Sequence, residues 1–167
     1  RRGYAQYRGE APIRENLAAM MVRQLLKKTT IDEKFILLDP FAGSGTLLFE
    51  TASYKEAALK RSYPWLQFLN RPKLFKSESW LKNYRWLQNS FSSKMVAVDQ
   101  DEKSVTNLQK NKDLFKELFA NANVTIESHH ADSLKIDLSS LKDCHNLWLM
   151  TNPPYGHRLQ EGEALGI

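Results

Sequence analysis

A single cysteine, Cys144, is all the chain offers for thiol chemistry. It can close no intramolecular disulfide and has no companions for a zinc cluster, so a reducing, cytoplasmic setting is expected. No apolar run approaches the ~20 residues of a membrane span, and the arginine-rich start lacks the apolar core of a signal peptide. Internal repeats and low-complexity tracts are absent. Hydrophobic residues make up 42% and charged residues 26% of the 167 positions, too apolar for a disordered chain and enough for one domain with a substantial core. The formal net charge of +5 tilts the choice of partner towards polyanions.

What is present alternates between two patterns. Residues 1–34 form a lead-in and a helix. "RRGYAQYRGEAP" reads as an extended or looped stretch, and "IRENLAAMMVRQLLKK" places Ile13, Leu17, Met20, Met21 and Leu25 on one helical face. From residue 35 onward, short runs suit strands: "FILLD" (35–39), apolar enough to be buried on both faces, then "KMVAVD" (94–99), "VTIES" (124–128) and "NLWLMT" (146–151). Between them the pattern predicts helices over about Thr46 to Arg61 and over "QDEKSVTNLQKNKDLFKELF", the latter with Val105, Leu108, Phe115 and Phe119 on one face. This strand–helix alternation is that of an α/β fold with an open, mostly parallel sheet and helices on both faces. Ligands in such sheets bind beyond the carboxyl ends of the strands, near the point where strand order reverses.

The residues at those ends carry chemistry. After the first strand comes "DPFAGSGT", whose Gly43 and Gly45 let the backbone pass close beneath a ligand, with a helix starting at Thr46. A phosphate-binding P-loop needs a lysine that is absent here, and a dinucleotide fingerprint needs a glycine where Leu48 stands. The remaining ligand is a nucleoside cofactor without phosphate. Asp39 would meet the cationic amino-acid end of S-adenosylmethionine, whereas it would repel a pyrophosphate. A plain Gly turn competes with this reading. After the second strand, Asp99 is placed to accept ribose hydroxyls, or else to cap the next helix, which Asp101 would do equally well. After the third, Asp132 is a candidate acceptor for an adenine amino group, or a solvated turn acid. His129 and His130 have no Cys or acid at metal-ligand spacing and read as structural or surface residues.

The fourth strand runs into "TNPPY". Pro153 and Pro154 fix the backbone and present rigid carbonyls, and the Asn152 side chain adds an acceptor beside them. Together they can hold an exocyclic amine by both hydrogens, while Tyr155 stacks on the base that bears it. Such alignment is most of what an in-line methyl transfer needs, and no metal is required.

The ordered set DPFAGSGT, Asp99, Asp132 and NPPY resembles that of the S-adenosylmethionine-dependent amino-methyltransferases. "RRGY", "EAPIRENLAAMM", "LLDPFAGSGTLLFETA", "AVDQD" and "TNPPYGHRL" are further similar to the methylase domain of the THUMP-linked RNA methyltransferases. The likeness is strongest to the bacterial type that makes N2-methylguanosine in large-subunit ribosomal RNA, proteins often labelled adenine-specific DNA methylases because of NPPY. It covers nearly the whole chain and is loosest over residues 55–93. The resemblance implies a Rossmann-like class I methyltransferase fold, with residues 1–167 the N-terminal part of the catalytic domain and the sheet continuing beyond its fourth strand. It implies S-adenosylmethionine as cofactor, held by Asp39, Phe41, Ala42, Gly43, Gly45, Thr46, Asp99 and Asp132, with Arg14, Glu15 and Asn16 packed beside the pocket. Asn152, Pro153, Pro154 and Tyr155 would take the target base. It also implies a preceding RNA-binding domain, and either further strands or a partner covering the fourth-strand edge.

Residues 55–94 hold nine lysines or arginines against Glu56 and Glu78, with Tyr63, Trp65, Phe68, Trp80 and Trp86 interleaved. A basic, aromatic insertion over about 62–93 suits looped RNA, whose phosphates pair with cations and whose bases stack; the rings can equally be core beneath a solvated basic face. Three functions remain open on these residues. They are guanine-N2 transfer to ribosomal RNA, adenine-N6 transfer to DNA or RNA, and a catalytically incomplete fragment that binds nucleic acid or a partner.

Overall fold

The computed structural model of the chain describes residues 3–9, 12–26, 35–54, 93–119, 124–137, 139–141 and 146–154. The basic, aromatic stretch 55–92, Cys144 and Tyr155 lie outside them. Within them the order is α1 (Glu15–Leu26), β1 (Ile36–Asp39), α2 (Thr46–Ala52), β2 (Ser93–Asp99), α3 (Glu102–Leu118), β3 (Val124–His130), a single 3-10 turn (Ser139–Leu141) and β4 (Leu147–Leu149). The four strands form one sheet in the order β3-β2-β1-β4, every pair parallel. Strand order therefore reverses beside β1, where such sheets open a crevice.

The runs of β1 and β2 bury side chains in both directions, whereas β3 buries Ile126 alone and β4 packs Trp148 on the core with Leu147 and Leu149 exposed. Leu37, Met95 and Ile126 are cross-strand neighbours on one face and join the main core; Leu38, Val96 and Val98 form a smaller cluster on the other. Phe35 stacks on Trp148 with ring centroids 4.3 Å apart, tying the start of β1 to β4. Among the described residues the three α-helices all pack against the Leu37 face. On the opposite face Ile36, Ala131 and Ile136 pack on that smaller cluster, and among the described residues no α-helix covers it.

Packing corrects two sequence expectations and adds a third feature to them. First, the buried row of α1 is Ala18, Val22 and Leu26, while Leu17 and Met20 are 50% and 64% exposed. The helix packs on α2, and the small Ala18 opens an i, i+4 row that lets the two approach. Second, α2 ends at Ala52, with the Ser53 N–H returning to Phe49 O and the Tyr54 N–H closing a tighter turn on Thr51 O, and the rest of the expected helix, 55–61, lies outside the described residues. All seven residues of α2 are buried, including Glu50. Third, the lead-in is part of the core. Tyr4 is fully buried, packs its ring on Phe49, Phe115 and Phe119, and donates its hydroxyl proton to Glu50 Oε1. That bond gives the buried Glu50 carboxyl a hydrogen-bond donor beside the aromatic rings.

Candidate active site

A cavity of about 230 Å³ opens at the carboxyl ends of β1, β2 and β4, lined by Asp39, Phe41, Ala42, Gly43 and Thr46 from the first loop, Asp99 to Asp101 from the second, and Asn152 and Pro154 after β4. Motifs far apart in sequence thus meet in one place.

Hydrogen bonds hold the glycine loop in shape. Phe41 N–H donates to Asp39 Oδ1 at 3.2 Å, Ala42 N–H to Val98 O at 2.9 Å, and Gly43 N–H to Asp99 Oδ2 at 2.7 Å. Asp99 Oδ1 accepts from Asp101 N–H at 2.9 Å, and its backbone carbonyl from Ala131 N–H at 3.0 Å. Asp99 is not the helix cap. Asp101 caps α3, accepting from the N–H groups of Lys103 and Ser104 and from the Ser104 hydroxyl, and those bonds hold its carboxyl below the ordinary range. Among the described residues each side-chain oxygen of Asp99 accepts one bond, which leaves it a second lone pair for a ligand hydroxyl.

The two glycines do different work. Gly43 has φ +53°, and a Cβ there would meet no protein atom within 4 Å, so its missing side chain is space belonging to the cavity it lines. Gly45 has φ +86° and does not line the cavity; a Cβ there would sit 2.7 Å from Phe49 and 3.0 Å from Leu108. Its role is close packing at the start of α2 rather than ligand approach.

Electrostatics narrow the ligand. Asp39 is 1% exposed, and burial pushes its carboxyl up to about 7. Bonds from Thr151 Oγ1, at 2.7 Å, and from Phe41 N–H pull the other way, and the Asp99 charge adds to the rise. Among the described residues the cavity wall carries Asp39, Asp99 and Asp101 and no basic side chain. Such a wall suits a cation and disfavours a phosphate. The residues present therefore fit a cationic nucleoside cofactor and do not fit a pyrophosphate.

Asp132 stands apart from this cavity. Its Oδ1 accepts from Leu134 N–H at 3.0 Å and its Oδ2 pairs with Lys135 at 3.0 Å, which together hold the carboxyl below the ordinary range. Pro153 is exposed and outside the lining. Arg14, Glu15 and Asn16 line a neighbouring cavity of about 370 Å³ that shares Pro12, Ile13 and Thr46 with the first. His129 and His130 are both exposed, and among the described residues no three metal-ligating side chains cluster.

Sequence reasoning missed Gly9, Pro12 and Ile13, which the lead-in contributes to the wall. It also missed how the lead-in is held there. Asn111 of α3, fully buried, accepts from Tyr7 N–H at 3.0 Å and donates Nδ2 to Tyr7 O at 2.7 Å and to Ser44 O at 3.2 Å. An asparagine in an apolar helical row was the available signal.

A parallel sheet with a glycine loop between two strand-end acids, and an Asn-Pro-Pro turn facing them, defines a Rossmann-like methyltransferase fold. The RMKL-like methyltransferase domain family matches residues 2–167, and the chain belongs to that family. It is 32% identical over 183 aligned residues to the ribosomal RNA large subunit methyltransferase K/L of Shewanella woodyi, covering 99% of this chain and 22% of that protein. The enzyme of the same name from Aliivibrio fischeri is 30% identical, over 98% of this chain and 23% of its own length. The chain thus spans under a quarter of these relatives. Among solved structures, a possible methylase from Clostridium difficile 630 superposes with a TM-score of 0.67 at 27% identity, covering 95% of this chain and 39% of the other.

Proposed function

We propose that this chain carries the cofactor site and base-holding turn of a methyltransferase acting on an exocyclic amine of a nucleic-acid base, guanine N2 of large-subunit ribosomal RNA in the first instance. The observation that carries it is the single cavity in which Asp39, Gly43 and Asp99 face Asn152 and Pro154. Cofactor wall and amine-binding turn are then adjacent, as direct transfer requires. The relatives named for ribosomal RNA large subunit methylation support the substrate class.

When bound, S-adenosylmethionine supplies an electrophilic methyl group on a sulfonium cation. The chain's residues bind and orient. Asp39, ionised, meets the cationic amino-acid end; Gly43 leaves room beside it; Asp99 accepts from the ribose hydroxyls. Asp132 is the acceptor for the adenine amino group. The Asn152 side-chain carbonyl and the rigid carbonyls of the following prolines hold the two hydrogens of the target amine and aim the nitrogen lone pair at the cofactor. Tyr155 supplies the stacking surface for the base. Arg14, Glu15 and Asn16 support the pocket from the neighbouring cavity. The basic, aromatic residues of 55–94 contact the RNA around the target, and a sequence with one cysteine suits a reducing, cytoplasmic setting.

The test offers the intact protein labelled S-adenosylmethionine with unmodified ribosomal RNA and genomic DNA side by side, and identifies the labelled nucleoside after digestion. N2-methylguanosine from RNA is expected. N6-methyladenine would keep the chemistry and overturn the substrate, and cofactor binding without label in either polymer would overturn the nucleic-acid assignment.

A further inference from the structure

Thr151 immediately precedes Asn152 and makes a direct side-chain link between the two halves of the cavity. Its Oγ1 donates to Asp39 Oδ1 at 2.7 Å. The β1–β4 ladder has just ended, Met150 N–H to Leu38 O at 3.1 Å being its last rung, so nothing in the backbone pairing fixes the chain beyond Met150. The Thr151 hydroxyl continues that tie by one residue, and the next residue is Asn152. Asp39 Oδ1 also accepts from Phe41 N–H at 3.2 Å, so the same oxygen joins the glycine loop to the β4 turn.

We propose that Thr151 is a positioning residue that locks the Asn152 turn to Asp39 and thereby sets the amine-holding carbonyls against the cofactor cavity. The inference rests on the cofactor assignment above. A hydroxyl is needed because the acceptor is a carboxylate with almost no access to water: Asp39 is 1% exposed. Valine would fill the same space and leave Oδ1 with one described donor fewer. The bond also favours the ionised form of Asp39, the form a cationic ligand requires. The charges facing Asp39 are Asp99 from β2 and Asp101 ahead of α3 across the cavity; the lead-in, α2 and β4 present Pro12, Ile13, Thr46, Leu47 and Asn152, all uncharged.

The experiment compares wild type, Thr151→Val, Thr151→Ala and Thr151→Ser in the intact protein. It measures S-adenosylmethionine affinity by calorimetry across pH 5.5 to 8.5, and single-turnover transfer at saturating cofactor. Val and Ala are expected to move the pH midpoint of cofactor affinity upward and to slow transfer by roughly tenfold, the equivalent of one charge-assisted hydrogen bond. Ser is expected to restore both to within about threefold. If Val or Ala keeps the wild-type midpoint and rate, or if Ser is as impaired as Val, the hydroxyl has no positioning role and the proposal is overturned while the cofactor reading stands. Absence of cofactor binding in the wild type at every pH would overturn the cofactor reading, and this proposal with it.

Discussion

Gly43 N–H donates to Asp99 Oδ2 at 2.7 Å across 56 residues of sequence, so the acid that ends β2 shapes the loop that follows β1. Asp99 is thus both a ligand-facing group and the loop's anchor. Asp99→Ala removes acceptors for Gly43 and Asp101 as well as for the ligand. Cofactor affinity is expected to fall by about a hundredfold or more, the equivalent of losing two charge-assisted hydrogen bonds. Asp99→Asn keeps one acceptor oxygen and should lose less. Calorimetric titration of both variants checks the ranking.

The glycines separate binding from folding. Gly43→Ala points its Cβ into open space and costs about 1–2 kcal/mol for the left-handed backbone, so the variant folds, but with part of the cavity filled. Gly45→Ala pays the same backbone cost and drives its Cβ onto Phe49 and Leu108. The melting temperature is expected to fall further for Gly45→Ala, and cofactor affinity per folded molecule further for Gly43→Ala.

Asp39 predicts a pH signature. A carboxyl raised to about 7 holds its proton in the folded chain where the unfolded chain has lost it. Its stabilising contribution is therefore complete below about pH 4 and is lost as pH rises through about 7. Asp39→Asn removes that dependence. The variant should gain melting temperature relative to wild type at pH 8 more than at pH 5, while binding S-adenosylmethionine more weakly. The same sign makes cofactor binding by the wild type release protons near neutrality, read as a buffer-dependent enthalpy.

Tyr4→Phe keeps the ring among Phe49, Phe115 and Phe119 and removes only the hydroxyl that donates to Glu50. The loss is expected to be about 1–3 kcal/mol, the cost of taking a partner from a buried polar group. Chemical denaturation measures it, and a loss near zero would show that the bond to Glu50 contributes nothing to the docking of the lead-in.

The strand ends were legible because β1, β2 and β4 read as short apolar runs, and Asp39, Asp99 and Asn152 stand at their ends. Fold and cavity location come from that pattern alone. What was not legible depends on distant partners. Tyr4 and Glu50 are 46 residues apart, and Asn111 reaches Ser44 across 67; the apolar row marks Asn111 as unusual, but local periodicity names neither pairing. The face of α1 was partly legible: Ile13, Met21 and Leu25 pack on the core, while Leu17 and Met20, which fit a helical stripe as well as Val22 does, are exposed. The division of labour between Gly43 and Gly45 needed the positions of Phe49 and Leu108.

The central claim is that the turn after β4 holds the amine while the acids and glycine loop hold the cofactor. Asn152→Ala, measured for S-adenosylmethionine affinity and for transfer to RNA in the same preparation, tests it most directly. Transfer should be lost and affinity should stay within about threefold, since Asn152 borders the cofactor wall without supplying its charge. Near-normal turnover in that variant would contradict the assignment.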